Sequence, residues 1–90
     1  MDDEDTGWQR LDKFLFFARF CKTRAVAAAL VEKGGLRINR QPTEKPHARV
    51  RPGDVLTLPL PRGVVVVEIL ALARRREGAP QAQGLYKEIA

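Results

Sequence analysis

The hydrophobic pattern of this chain changes period at Gly34-Gly35, and that change limits the folds open to it. Before the two glycines, apolar residues recur with the spacing of one face of an α-helix. After them, Leu36 and Ile38 alternate with Arg37 and Asn39, which is the period of a half-buried strand. Helices followed by strands predict an α+β fold, in which two N-terminal helices pack on a small antiparallel β-sheet in a single domain.

Two helices are predicted before the glycines. The first runs from about Arg10 to Phe20, and the second begins with Thr23 as its N-cap and ends at Gly34-Gly35. The apolar stripe of the first helix consists of Leu11, Phe14, Leu15 and Ala18. The inner stripe of the second helix consists of Val26, Ala27, Leu30 and Val31. Three further aromatic residues are expected to pack rather than to be exposed: Phe16, Phe17 and Phe20.

Three strands are predicted after the glycines. The short strand at residues 36–39 is followed by a basic, proline-interrupted connection over residues 43–51 and a turn at Pro52-Gly53-Asp54. A second strand covers Val55 to Leu60, with Pro59 at an edge or a strand end. The third and longest covers Val64 to Leu72, and residues 85–89 are a strand or helical turn that docks back on the domain.

The charges divide the chain into three regions. Residues 1–7 are an acidic head that we expect to be disordered, residues 8–73 are the folded domain, and residues 74–90 are a basic C-terminal tail. The formal net charge is +5, and four carboxylates of the head lower it, so that the rest of the chain is more basic still. A basic domain of this kind is typical of a protein that binds a polyanion.

Catalysis and cofactor binding find no support in the sequence. The chain contains no serine, its acidic residues are dispersed, and Gly34-Gly35 is a helix stop rather than a phosphate loop. One cysteine, Cys21, and one histidine, His47, cannot build a zinc site. We therefore expect neither an enzyme nor a cofactor nor a metal. The single cysteine allows no internal disulfide, which fits a reducing cytoplasm, and no apolar run is long enough to cross a membrane. We expect a monomer, located in the cytoplasm, with no membrane partner.

The basic residues, in contrast, fall on elements that can converge. A helix that begins after Thr23 presents backbone N–H groups and the positive end of its dipole, and Lys22 and Arg24 flank that point. Such an arrangement suits a phosphate. The candidate nucleic-acid contacts are Arg10, Lys13, Arg19, Lys22, Thr23, Arg24, Arg37, Asn39 and Lys45.

These residues also carry a family resemblance. The matching motifs are Arg10-Leu11-Asp12-Lys13-x-Leu15, Lys22-Thr23-Arg24-Ala25, Leu30-Val31-x-x-Gly34, Leu36-Arg37-Ile38-Asn39, Lys45-Pro46 and Val50-x-Pro52-Gly53-Asp54. In order and spacing they resemble the RNA-binding domain named after small-subunit ribosomal protein S-four. The fuller string from Arg10 to Arg24, with Arg74-Arg75-Arg76 and Leu85-Tyr86, is similar to one branch, the bacterial fifteen-kilodalton heat-shock protein family.

The resemblance implies a fold and a partner. It implies two helices on a small antiparallel sheet, which is called the αL motif in this family, and binding of structured RNA through the helix pair. For the heat-shock branch it implies binding to ribosomal RNA of the large ribosomal subunit, in the rescue or recycling of stalled subunits that carry peptidyl-tRNA. Carried over by position, the nine candidate residues are the expected RNA contacts.

Two departures from the family pattern stand out. The family usually follows the strand asparagine with glycine, whereas Arg40 follows Asn39 here, which predicts a reshaped turn. The heat-shock branch usually has a further basic C-terminal extension, which the sequence up to Ala90 does not include. Structural interpretations also remain open, with Thr23 as a cap, Asn39 as a turn former, and Arg10 as the partner of Asp12 or Asp54.

Two other functions remain as alternatives. Two short helices with a basic surface are compatible with a DNA-binding helix-turn-helix protein, although the second predicted helix is rich in alanine and valine and has few side chains that read base edges. A protein-interaction module would instead use its basic face to bind an acidic partner.

Overall fold

The computed structural model describes residues 7–89 and confirms the α+β fold. The expected disordered head, residues 1–7, lies outside this range except for Gly7. The elements in chain order are β1 (Gln9–Arg10), α1 (Leu11–Phe17), α2 (Arg24–Glu32), β2 (Arg37–Ile38), β3 (Gln41–Pro42), β4 (Arg49–Val50), β5 (Val55–Leu60), β6 (Gly63–Ile69), α3 (Ala79–Gln83) and β7 (Tyr86–Glu88).

The strands form two antiparallel sheets. The larger has five strands in the order β3-β2-β5-β6-β7, and the smaller is a two-stranded ribbon of β1 and β4. The strand β7 lies in the region expected to be a basic tail, and it pairs with β6 through Glu88 opposite Val67 and Tyr86 opposite Ile69. Residues 85–89 therefore dock on the sheet, as one of the two sequence interpretations expected.

One cluster of buried residues joins the helices to one face of the larger sheet. Its largest fully buried members are Phe14, Leu11, Leu15, Leu36, Leu56, Leu58, Ile69, Val31, Val50 and Val67. Alternation along β5 places Leu56 and Leu58 in this core, while Val55 and Thr57 lie on the opposite face of the sheet. The helices therefore cover only one face of the sheet, and any functional surface on the helix pair is separated from the other sheet face.

The first helix is shorter than predicted. It ends at Phe17 rather than near Phe20, because Ala18 is its C-cap and Arg19 takes a left-handed φ of 66°. Its predicted first residue, Arg10, lies in β1 instead. The three flanking aromatic residues pack as expected: Phe17 is buried, Phe16 is partly buried, and the Phe20 ring lies 4.6 Å from that of Tyr86.

The second helix agrees with the sequence in its ends but not in its inner stripe. The side chain of Thr23 caps the helix by accepting a hydrogen bond from the backbone N–H of Val26, at 3.0 Å. Past its other end, Gly34 and Gly35 have φ values of 95° and 91°. Val26 was wrongly assigned to the inner stripe, since it is 50% exposed in the first turn, where the cap rather than packing holds the chain.

Two strand predictions also need correction. The longest strand ends at Ile69 rather than Leu72, because the chain then leaves β6 and the N–H of Leu70 donates to the carbonyl of Leu85. The connection over residues 43–51 contains β4, whose two residues are too few for a detectable alternation.

The predicted reshaping of the turn after Asn39 did not occur. Asn39 and Arg40 have φ values of 50° and 72° and connect Ile38 to its partner Gln41, so they form a two-residue hairpin turn of the primed type. Arg40 thus takes the left-handed conformation that glycine adopts more easily.

Candidate nucleic-acid interface

A buried carboxylate joins the beginnings of the two N-terminal helices. Asp12 is only 5% exposed, and Arg10 donates to both of its oxygens, from Nε at 3.1 Å and from Nη2 at 3.0 Å. Arg24, in the first turn of α2, reaches the same carboxylate from Nη2 at 3.4 Å. Both arginine side chains remain close to half exposed, at 43% and 45%. One acid therefore orients two guanidinium groups that stay accessible to a ligand.

The start of α2 adds further positive charge beside this carboxylate. Lys22, Thr23 and Arg24 are all exposed, and the Thr23 hydroxyl satisfies one of the N–H groups of the first turn. The remaining N–H groups of a first turn have no partner within the helix, and the helix dipole makes that end positive. Cap, dipole and two cations thus meet at one point, and the cap role of Thr23 is compatible with a ligand there.

Two further candidates lie on backbone that adjoins Asp12. Lys13 follows Asp12 on α1, and its Nζ lies 5.6 Å from the centre of the Phe17 ring. Lys45 precedes Pro46, whose carbonyl accepts from the N–H of Asp12 at 3.0 Å. Six of the nine candidates therefore lie on backbone segments that meet at Asp12, and we call them the Asp12 cluster: Arg10, Lys13, Lys22, Thr23, Arg24 and Lys45.

The other three candidates lie elsewhere. Arg19 stands beyond the opposite end of α1, where its Nη1 donates to the carbonyl of Glu77 at 3.1 Å. Arg37 alternates with the core residues Leu36 and Ile38, so it lies on the sheet face away from the helices.

Asn39 is occupied by the turn that it forms. Its Nδ2 donates to Asp54 Oδ1 at 2.9 Å, and its Oδ1 accepts from the N–H of Val55 at 2.8 Å. Both side-chain groups thus tie the β2–β3 turn to the start of β5, which supports the turn-forming interpretation. The single groove expected from the sequence is therefore split between the helix pair and the sheet.

Sequence reasoning missed two arginines with well-defined partners. The Arg49 guanidinium lies 4.2 Å from the centre of the Trp8 ring, next to Arg10. Arg76 donates to the carbonyls of Phe16, at 3.1 Å, and Cys21, at 3.4 Å. The two-residue strand that carries Arg49 is too short for a detectable alternation, and the local sequence around Arg76 contains no indication of its contacts.

Among residues 7–89, no group of three or more His, Cys, Asp or Glu side chains could hold a metal ion. Burial raises the pKa of the Cys21 thiol above its ordinary value, which disfavours the reactive thiolate. Within the same residues, no helix has the length and apolar character needed to cross a membrane.

Comparison with known proteins finds a family model and a solved structure that this chain matches. The model of the S4 domain matches residues 9–56, which include α1, α2 and the whole Asp12 cluster. The solved structure of heat shock protein 15 from Vibrio cholerae, described as trimeric, is 41% identical in sequence, with a TM-score of 0.84 over 92% of this chain and 83% of that one.

Proteins that are similar in sequence match most of this chain. The heat shock protein 15 homolog of Haemophilus influenzae is 43% identical over 79 residues, which make up 88% of this chain and 60% of that protein. Heat shock protein 15 of Escherichia coli is 40% identical over 90% of this chain, again covering 60% of the relative. This chain therefore spans about three fifths of the length of those relatives.

A second group of relatives is matched over nearly its full length. The RQC P-site tRNA stabilizing factor of Listeria monocytogenes is 35% identical over 81 residues, which are 88% of this chain and 87% of that protein. The part of the chain that carries the Asp12 cluster is thus common to both groups.

Proposed function

Since this chain belongs to the S4 domain family, we propose that it binds structured RNA, and specifically ribosomal RNA of the large ribosomal subunit. We propose further that it acts on stalled large subunits that still carry peptidyl-tRNA, in their rescue or recycling. The observation that carries the proposal is the match of the S4 domain over residues 9–56, where two accessible arginines are held by one buried carboxylate. The names of the relatives, heat shock protein 15 and RQC P-site tRNA stabilizing factor, support the ribosomal role.

In this proposal the Asp12 cluster holds the RNA backbone. Arg10 and Arg24, oriented by Asp12, each present a guanidinium fork to phosphate oxygens. Lys22 and Lys13 contribute point charges, and the first turn of α2 contributes N–H donors capped by Thr23. Phosphate contacts of this kind position the protein on the RNA. Lys45 is proposed as a contact at the margin of the cluster. Arg19, Arg37 and Asn39 are proposed as separate contacts outside it.

We propose that the chain acts by binding alone and carries out no chemical step. Binding that holds a subunit or a tRNA in place requires a rigid, positively charged surface, which the two helices and their common carboxylate provide. The partners are then ribosomal RNA and the large subunit, the location is the cytoplasm where ribosomes work, and the chain binds as a monomer.

Sedimentation of a lysate through a sucrose gradient tests this proposal. Cells expressing the tagged chain are lysed, and the gradient is run with and without prior treatment by puromycin, which releases nascent peptides from tRNA. The expected result is co-sedimentation with free large subunits, reduced by puromycin. The variant carrying Lys22→Ala and Arg24→Ala should stay at the top of the gradient, whereas Lys33→Ala, at the other end of α2, should behave as wild type.

The outcomes separate the competing functions. If co-sedimentation does not depend on puromycin, the proposed binding of ribosomal RNA stands and the proposed role at stalled subunits is rejected. Migration with neither subunit would reject the proposal, and a helix-turn-helix protein or a protein-interaction module would then have to be tested with duplex DNA or with an acidic partner.

A further inference from the structure

The ribbon of β1 and β4 has one buried face and one face open to solvent. Gln9 and Val50 are opposite each other and fully buried. Because successive side chains of a strand point to opposite sides, the residues next to them face outward. The outward residues are Trp8, which directly precedes β1, Arg10 of β1 and Arg49 of β4.

The outward face places two like charges directly opposite each other. Arg10 pairs with Arg49 in the register of the ribbon, and like charges in that position destabilise an antiparallel pair. Asp12 offsets the charge of Arg10, and the Trp8 ring lies under the guanidinium of Arg49 at 4.2 Å. This concentration of positive charge is the kind of surface that an anion would stabilise.

The Trp8–Arg49 pair has the geometry of a stacking surface. A guanidinium is planar and stacks on an aromatic ring through one of its faces. Arg49 is exposed even in this contact, and Trp8 is partly exposed, so the pair remains accessible from solvent. RNA-binding proteins use both aromatic rings and guanidinium planes to stack bases that have left a helix.

We propose that Trp8 and Arg49 form a stacking platform for an unpaired RNA base. This inference rests on the proposed function, and it adds a preference for a particular feature of the RNA. The Asp12 cluster holds the phosphate backbone of a helical segment through Arg10 and Arg24. The platform, next to Arg10 on the same face, receives a base from an adjoining loop or bulge, while the bases of a regular duplex stay stacked on each other and cannot reach it.

The test compares two RNA probes that differ only in unpaired bases. One is a hairpin with an unpaired loop, and the other is a blunt duplex with the sequence of its stem. Affinities are measured by fluorescence anisotropy of labelled RNA. The wild-type chain should bind the hairpin about tenfold more tightly than the duplex, a ratio typical of one base stacked on a side chain. Trp8 is the only tryptophan, so its emission should change with the hairpin and change little with the duplex.

Two variants assign the preference to the platform. Arg49→Lys keeps the positive charge and removes the planar guanidinium group. Trp8→Leu keeps an apolar side chain and removes the aromatic ring. Each should abolish most of the hairpin preference and leave duplex affinity within about twofold of wild type. Arg51→Lys, the same exchange two residues along the chain, is the matched control and should leave the preference intact. Circular dichroism checks that each variant is folded, and Arg49 is exposed, so its variant should fold even if that of Trp8 does not.

The possible failures are distinguishable. A wild-type chain that binds RNA but does not prefer the hairpin overturns the platform and leaves the proposed function standing. No loss in Arg49→Lys also overturns it, because charge rather than stacking would then explain the preference. Equal losses in Arg49→Lys and Arg51→Lys overturn it as well, because the effect would then not be specific to the platform. A chain that binds neither probe rejects the proposed function and the platform together.

Discussion

Arg24 of α2 and Asp12 of α1 form an ion pair of 3.4 Å that ties the beginnings of the two helices together. The acid is buried and also holds Arg10. Loss of a buried acid from two charged partners leaves hydrogen bonds unmade and two cations close together.

Asp12→Asn should therefore lower the free energy of unfolding by about 1–3 kcal/mol, measured by urea denaturation. Glu32→Gln is the matched control, because Glu32 is exposed in the last turn of α2, and its effect should be within about 0.5 kcal/mol. An Asp12 variant as stable as wild type would show that the carboxylate does not hold the helices.

Removal of the two cations at the start of α2 should weaken RNA binding. Lys22→Ala combined with Arg24→Ala should reduce affinity for a structured RNA by about 1–3 kcal/mol. The loss of the Asp12 contact should lower stability only modestly, since Arg24 is nearly half exposed. Filter binding at one salt concentration measures the effect, with Lys33→Ala as control. Unchanged affinity in a folded double variant would remove this point from the interface.

Arg76 should stabilise the fold rather than bind RNA. It lies over the Phe16 ring at 4.8 Å and donates to two carbonyls near the end of α1. Arg76→Ala should lower the free energy of unfolding by about 1–3 kcal/mol. Its neighbour Arg75 is 79% exposed in its side chain, and Arg75→Ala should change stability by less than about 0.5 kcal/mol. Equal effects of the two changes in thermal unfolding would contradict this assignment.

Arg40 sits in a turn that favours glycine at its position. Its φ of 72° is a left-handed conformation, which is unfavourable for a residue with a side chain. Arg40→Gly should raise the free energy of unfolding by about 0.5–1 kcal/mol, with the greater freedom of glycine in the unfolded chain offsetting part of the gain. Arg62→Gly, in the β5–β6 turn without a positive φ, should instead be destabilising. A lower melting temperature for Arg40→Gly would contradict the strained turn.

The sequence was sufficient to predict a structural feature where the signal for that feature is local. The ends of α2 were predicted because a threonine cap and a glycine pair act within a few residues of the helix. The end of α1 was not, because Ala18, Arg19 and Phe20 continue a helical pattern with neither glycine nor proline to stop it. The contact from Arg76 to the Phe16 carbonyl joins residues 60 positions apart, which no local pattern reveals.

The same distinction applies to the candidate interface. The basic residues were readable from the sequence, but their partners are tertiary contacts. Arg24 joins Asp12 across two helices, Arg19 turns to the carbonyl of Glu77, and Arg37 lies on the other face of the sheet. The ribbon that exposes Trp8 and Arg49 consists of two-residue strands, which are too short for the alternation that identifies a strand.

The dependence of binding on salt tests the central claim, that the chain binds structured RNA through phosphate contacts. Each contact adds about 0.7–0.9 to the negative slope of log affinity against log salt, so a few simultaneous contacts predict a slope of about −3 to −5. Lys13→Ala should make the slope shallower by about one unit. At every salt concentration, a large-subunit RNA fragment should bind more tightly than duplex DNA of equal length, because shape and 2′-hydroxyl contacts add to charge. A flat salt response, or equal affinity for the DNA, would contradict the account.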